Sequence, residues 1–392
     1  MKQRNFNFLP DYEQAKALLQ QLAEQSAPDP ARLVDRPLML YGAGNLGRMA
    51  KNYFDRINID VVAVIDRGAE NYQDDSFWEG VPVLHPDEIS IEQKQQVLLA
   101  ICIANICYST VESELSKNGW HDIAHFYDIS EAYRDRHPLS NGWFCAQLSR
   151  NDCVEIDRVI QCWHDDLSRA HHLQFIVWRH LRQDWLFSDA PMTIDNRYLI
   201  PEVKSVLNKH EHFVDMGAHF GDAAWALLTA VDFKFSSLSV FEPDNINRAN
   251  LQNRFVKLVE SNKKKIHVDH RALGEKAAIQ AFFDGAGYAS QLSNLGNETV
   301  NVIPFDSLGM QVSFIKLHLE GAELAALQGA RHTLIEQRPI VVTTSYHNQL
   351  GLAKMAIWIM DTLRDYRFFY RLHSGCGTGA VIYAIPEERY SK

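Results

Sequence analysis

The sequence predicts an α/β protein made of two Rossmann-like, doubly wound domains joined by a helical segment. Three observations carry that expectation. Short β-rich runs alternate with amphipathic stretches from Pro37 and again from Tyr198, as parallel sheets with helical crossovers require. Each alternating region opens with a glycine-rich turn directly after an apolar strand. Between them, residues 131–195 are rich in Trp, His and Arg and lose the strand signal. The expected organisation is an N-terminal helix over 1–36, a first α/β domain over 37–130, a helical bridge over 131–195 and a second α/β domain over 196–392.

The elements follow in order. Residues 11–25 place Ala15, Leu18, Leu19 and Leu22 on one helical face, and the Ser-Ala-Pro-Asp-Pro stretch at 26–30 ends that helix. Leu38–Tyr41 and Val61–Ile65 are strand-like, and Val97–Ala104 reads as a strand buried on both faces. Asn45–Arg56 and Ser109–Asn118 read as helices between them. Cys153–Arg182 is mostly helical. Further strands are expected at His212–Asp215, Leu238–Phe241, Lys265–Val268, Phe314–Leu317 and Ile340–Thr344, with Phe368–Leu372 and Ala380–Ile385 as a closing antiparallel pair. Ala223–Ala230, Asn245–Val259, Glu323–Glu336 and Leu352–Tyr366 supply the helices.

Composition narrows the function classes. The 392 residues are 46% hydrophobic and 22% charged, ordinary for a globular chain. The net charge of −10 argues against a broad phosphate-reading surface, so no nucleic-acid partner is expected. The longest apolar run is too short to span a bilayer and the first residues lack a signal-peptide core. Six cysteines (102, 107, 145, 153, 162 and 376) lie scattered without metal-type spacing. A cytoplasmic location is expected.

The first glycine turn is Tyr41-Gly42-Ala43-Gly44-Asn45-Leu46-Gly47. Gly42 permits the bend, Gly44 lets backbone approach a phosphate, and Gly47 allows close helix–strand packing. Asp66 closes the next strand, where a ribose-binding acid belongs. These four residues form a second candidate nucleotide site. The later Gly80-Val81-Pro82-Val83-Leu84 makes this region, about 37–130, similar to the small Rossmann domains attached to sugar-modifying enzymes. A fold of this kind that binds nothing, or serves only for docking, is the competing reading.

The second turn differs. Phe213-Val214-Asp215-Met216-Gly217-Ala218-His219-Phe220-Gly221-Asp222 ends a strand with D-x-G-x-x-x-G, the acid preceding the glycines. This suits a ligand presenting an ammonium and a carboxylate, with side chains absent at 217 and 221 where it lies on backbone. The next strand ends in Val240-Phe241-Glu242-Pro243-Asp244, where Glu242 can accept both hydroxyls of a ribose.

Together with Phe314-Ile315-Lys316-Leu317-His318-Leu319-Glu320-Gly321-Ala322-Glu323 and Leu327-Gln328-Gly329-Ala330, these motifs resemble the FkbM-type methyltransferases. Pro304-Phe305-Asp306-Ser307-Leu308 and Arg338-Pro339-Ile340 extend the resemblance, which spans about 200–386. It implies a class I methyltransferase fold, S-adenosylmethionine as cofactor, and methylation of a hydroxyl on a sugar, glycan or polyketide-like acceptor. By the same resemblance Asp215, Gly217, Ala218, His219, Gly221, Asp222, Glu242 and Ala272 line the cofactor site, with adenine near His270–Leu273.

One position departs from the family, which usually has Asp where this chain has His318. Strand alternation puts Lys316 and His318 on one face, continued by Glu320 if the chain stays extended. His347 ends the following strand, so the two histidines are expected to face each other. An imidazole titrating near ~6.5 suits either as a base for an acceptor hydroxyl. His318, His347 and Glu320 are the candidate catalytic residues. A metal site built from His318, Glu320 and His347 is the lesser reading, because the three have no recognisable ligand spacing, and no metal is expected. The alternatives are a sugar-nucleotide-binding scaffold with a degenerate methyltransferase domain, and an NAD-dependent sugar-modifying enzyme acting through Gly42–Asp66.

Overall fold

A computed structural model describes residues 3–139, 141–195, 197–261 and 265–391. The expected boundary at 195–196 falls on a residue outside that set. Strands are β1 (Gln3–Phe6), β2 (Leu38–Tyr41), β3 (Val61–Ile65), β4 (Val83–Leu84), β5 (Leu98–Ile101), β6 (Asp122–His125) and β7 (Asp184–Phe187) in the first half. The second half adds β8 (His212–Met216), β9 (Ser237–Phe241), β10 (Ile266–Asp269), β11 (Ala272–Leu273), β12 (Ala278–Phe283), β13 (Gln291–Leu292) and β14 (Glu298–Ile303). It closes with β15 (Phe314–Leu317), β16 (Ile340–Thr344), β17 (Tyr366–Leu372) and β18 (Ala380–Pro386).

The first α/β unit is a five-stranded parallel sheet in the order β4-β3-β2-β5-β6. Its two central strands, Leu-Met-Leu-Tyr and Leu-Leu-Ala-Ile, are buried at every position, because helices cover both faces of a parallel sheet. The second is a seven-stranded sheet in the order β10-β9-β8-β15-β16-β18-β17. Its first five strands run parallel, and β18 and β17 add the expected antiparallel pair.

Beyond β4 and β6, strands the sequence reading also lacked, three features depart from it. A separate four-stranded sheet, β11-β14-β12-β13, stands between β10 and β15. The bridge is not wholly helical: β7 closes it and pairs in parallel with β1, a strand the sequence reading lacked. The helix expected over Glu323–Glu336 is two helices, Glu323–Gly329 and Arg331–Gln337. A Cβ on Gly329 would lie 2.0 Å from the Gly274 carbonyl oxygen, so this segment must pass close to the turn after β11.

The N-terminal helix Tyr12–Ala23 is capped by Asp11 and buries Ala15, Leu18, Leu19 and Leu22, as its spacing predicts. Each fully buried Leu contributes roughly 1.5–3 kcal/mol. Those residues share one core with Trp163 and Phe175 of the bridge and with Val214, Ile315 and Leu317 of the large sheet. The N-terminal helix and the bridge therefore form the layer covering one face of that sheet. The bridge helix Asp166–Leu181 is buried along most of its length. Its C-cap, Arg182, donates from Nε to buried Asp128 at 2.9 Å and ties the layer to the first α/β unit.

Candidate active site

A cavity with roughly 970 Å3 of empty space, its open mouth included, lies at the C-terminal ends of β8, β9 and β15. That is where open α/β sheets present their ligand sites. Residues from the small sheet, Ala272, Leu273, Phe282 and Leu292, supply an apolar wall. Arg56 of the first α/β unit donates to the Gly285 carbonyl in the loop after β12, and His137 of the bridge packs edge-on to Phe283, the last residue of β12, at 4.9 Å.

The turn after β8 forms one side. Gly217 takes φ +79°, and a Cβ there would stand 2.0 Å from the His318 carbonyl oxygen, so no larger residue fits. The amides of Gly217 and Ala218 both donate to the Phe241 carbonyl, at 3.0 and 3.1 Å, locking the turn to the tip of β9. His219, with φ +51°, donates its amide to Glu242 Oε2 at 2.6 Å, and the Asp244 amide donates to Oε1 at 3.0 Å. Glu242 is thus a fixed, buried carboxylate in the cavity wall. Burial pushes its pKa up to about 7, although both amide donors favour the charged form.

The predicted residues divide. Gly217, Ala218, His219, Asp222, Glu242 and Ala272 all line the cavity. Asp215 lies in the sheet behind that wall: it is fully buried, and its Oδ1 accepts from Lys316 Nζ at 2.7 Å. Lys316 also donates to the Gly217 carbonyl at 2.7 Å and itself lines the cavity. Burial opposes the charge on Lys316, but Asp215 and the neighbouring acceptors outweigh it and hold the ammonium above its ordinary pKa. Gly221 is also outside the wall, its Cα held against the Phe255 ring, and Asp222 pairs with Arg254. His270 is exposed and takes no part in the wall, whereas Arg271 to Leu273 do.

The other side of the cavity holds two of the candidate catalytic residues, His318 and Glu320, while the third, His347, is buried behind Glu320 and does not line it. Alternation along β15 stops at Leu317. Glu320 turns into a left-handed conformation, φ +49°, and still reaches His318. Its Oε1 is 3.0 Å from His318 Nε2 and 3.2 Å from His347 Nε2, and the two imidazoles lie 5.1 Å apart. Glu323 holds this bend by accepting the amides of Leu319 and Gly321, at 2.9 and 3.0 Å, and also bonds His347 Nδ1 at 2.7 Å. The Tyr198 hydroxyl lies 2.6 Å from His318 Nδ1, and that of Tyr346 lies 3.2 Å from Nε2.

These environments separate the two imidazoles. Burial lowers the His318 pKa to about 4 despite the Glu320 carboxylate, leaving the ring neutral. Burial also opposes charge on His347, but Glu320 and Glu323 outweigh it and push its pKa up to about 10. Burial likewise acts against the Glu320 anion, yet His347 and His318 hold it well below the usual carboxylate range. Tyr198, Lys316, Tyr346 and Glu323 thus complete the site without having been assigned roles from the sequence. Lys316 shares a strand face with His318, whereas Tyr198 lies in a segment with no pattern of its own.

The first glycine turn is built differently. Asp66 Oδ2 accepts the Ala43 amide at 2.8 Å and Oδ1 accepts the Gly68 amide at 2.9 Å, so this acid braces the turn itself. Gly47 packs so tightly that a Cβ would lie 2.0 Å from the Gly42 carbonyl oxygen, while the space beside Gly44 is open.

This sheet order and this site define a class I methyltransferase fold. Residues 215–370 match the family model of the Methyltransferase FkbM domain, and the C-terminal half carries a domain of that family. A solved structure of a methyltransferase FkbM from Methylobacillus flagellatus KT superposes with a TM-score of 0.61 at 18% identity, covering 97% of this chain and 94% of that one. An rRNA methylase from Streptococcus thermophilus matches with a TM-score of 0.31 and 9% identity over 47% of this chain and 90% of its own. A methyltransferase from Geobacter sulfurreducens matches with 0.28 and 12% over 46% and 73%. No curated protein matches the chain in sequence. Among the described residues, no helix is long and apolar enough to cross a membrane.

Proposed function

We propose that the chain is an S-adenosylmethionine-dependent O-methyltransferase acting on a hydroxyl of a sugar, glycan or polyketide-like acceptor. The observation that carries the reading is that one cavity joins a fixed carboxylate, Glu242, to His318 and Glu320, with His347 buried against Glu320. The wall fits the cofactor's parts. Gly217, Ala218 and His219 would hold the amino-acid end on backbone, with Lys316 attracting its carboxylate. Glu242 would accept the ribose hydroxyls, and Ala272, Phe282 and Leu292 would flank the adenine. When bound, the cofactor supplies an activated methyl that passes from its sulfonium to the acceptor oxygen as the sulfur–carbon bond breaks.

The chain's own part is positioning and proton transfer. His318, neutral, donates from Nε2 to the Glu320 carboxylate and accepts from the Tyr198 hydroxyl at Nδ1, so the acceptor proton would pass to the Tyr198 oxygen as the Tyr198 proton moves to Nδ1, with Glu320 stabilising the resulting imidazolium. His347, carrying its proton, offsets the buried charges of Glu320 and Glu323. Calorimetry with S-adenosylhomocysteine tests the cofactor assignment, followed by transfer of labelled methyl to a panel of sugar nucleotides. Absence of binding in the wild-type chain overturns the reading.

A further inference from the structure

Three potential donors lie within 4.8 Å of one another, His318 Nε2 and Glu320 Oε1 in the cavity wall and His347 Nε2 buried behind them. Glu320 Oε1 stands 3.0 Å from one nitrogen and 3.2 Å from the other. Two ligands about 2.1 Å from a shared ion at a right angle stand about 3.0 Å apart, so these spacings suit neighbouring positions around one ion. The outer contacts orient the same atoms. The Tyr198 hydroxyl at His318 Nδ1 and the Glu323 carboxylate at His347 Nδ1 fix both rings so that Nε2 turns toward Glu320. A carboxylate partner such as Glu323 is a usual second layer of a histidine metal site. Glu320 is held there in a left-handed backbone conformation, which a residue with a side chain rarely adopts without a local reason.

We propose that His318, Glu320 and His347 bind a divalent first-row transition-metal ion. Two imidazoles and one carboxylate favour Zn2+, Fe2+ or Co2+ over Mg2+, which prefers an all-oxygen shell. His318 and Glu320 line the cavity, so positions left open on the ion face the space where an acceptor would enter. What the ion does there rests on the methyltransferase reading. It would hold the acceptor oxygen and lower its pKa, the proton leaving to solvent through the cavity mouth. The oxygen would then take the methyl. In the loaded protein His318 is a ligand rather than the base.

The test uses the full chain, stripped with a chelator and titrated with Co2+ while its visible d–d absorption is followed. One equivalent of Co2+ giving a histidine-type spectrum, displaced by Zn2+ and not by equimolar Mg2+, is expected. His347→Ala and Glu320→Gln should abolish the spectrum. Glu323→Gln, which keeps the three ligand residues but loses the carboxylate behind His347 Nδ1 and part of the hold on the bend, should weaken Co2+ binding about 10- to 100-fold. Thermal melts of each variant check that the fold survives. If His347→Ala does not fold, Glu323→Gln decides alone. No spectrum in the wild-type chain, or an unchanged one in the variants, overturns the site. The same samples are titrated with S-adenosylhomocysteine. Nucleoside binding without a Co2+ spectrum removes only the metal, and a Co2+ spectrum without nucleoside binding removes only the methyltransferase reading.

Discussion

The Lys316 ammonium lies 2.7 Å from the Asp215 carboxylate, and neither is more than marginally exposed. The acid that opens the D-x-G-x-x-x-G turn therefore acts on the cavity through a lysine one strand away. Removing one partner of such a pair leaves an uncompensated buried charge, typically costing about 3–5 kcal/mol. Asp215→Ala should lower the melting temperature and weaken S-adenosylhomocysteine binding together. Asp215→Ala combined with Lys316→Met should recover much of the stability in chemical denaturation, and little of the affinity.

Glu242 gives the site a pH dependence. Its carboxyl titrates at about 7 in the free protein because it is buried. The charged form is the better acceptor for ribose hydroxyls, so a proton competes with the nucleoside. Affinity should fall as pH drops through 7, by about tenfold between pH 8 and pH 6. Glu242→Gln should bind more weakly at pH 8 and show no such slope in calorimetry.

Gly217 and Gly285 separate two penalties. Both have positive φ, +79° and +74°, but a Cβ at 217 meets the His318 carbonyl while one at 285 meets nothing within 4 Å. Gly285→Ala should cost about 1 kcal/mol from backbone strain alone. Gly217→Ala should cost clearly more in denaturant titrations and should distort the cavity enough to weaken nucleoside binding.

His318→Ala should reduce methyl transfer by about 10²-fold or more while leaving S-adenosylhomocysteine affinity within a few-fold of wild type. Full activity in this variant would remove His318 from the mechanism.

The central strands were legible in the sequence because burial on both faces leaves continuous apolar runs such as Leu98–Ile101. The small sheet was not. Ala278–Phe283 and Glu298–Ile303 are mostly exposed or half-exposed, and β11 and β13 are two residues long, too short for periodicity to register. The meeting of His318, Glu320 and His347 could be expected from strand ends on neighbouring strands. That Asp215 answers to Lys316 and does not itself line the cavity could not, since nothing local distinguishes a carboxylate answering to a ligand from one answering to a lysine. Tyr198 joins the site only through tertiary folding.

The pairing of β1 with β7 has a consequence for how the chain is assembled. β1 and the helix Tyr12–Ala23 belong to the layer that covers the large sheet, whereas Arg32, Val34 and Arg36 already bond to or pack on the five-stranded unit, so that unit is an insertion, looped out of a body to which the polypeptide returns on both sides. Cutting the protein at residue 130 would strip that body of a strand and a helix and expose Trp163, Phe175 and their neighbours. Excising the insert and rejoining its flanks should instead leave a smaller, self-contained molecule.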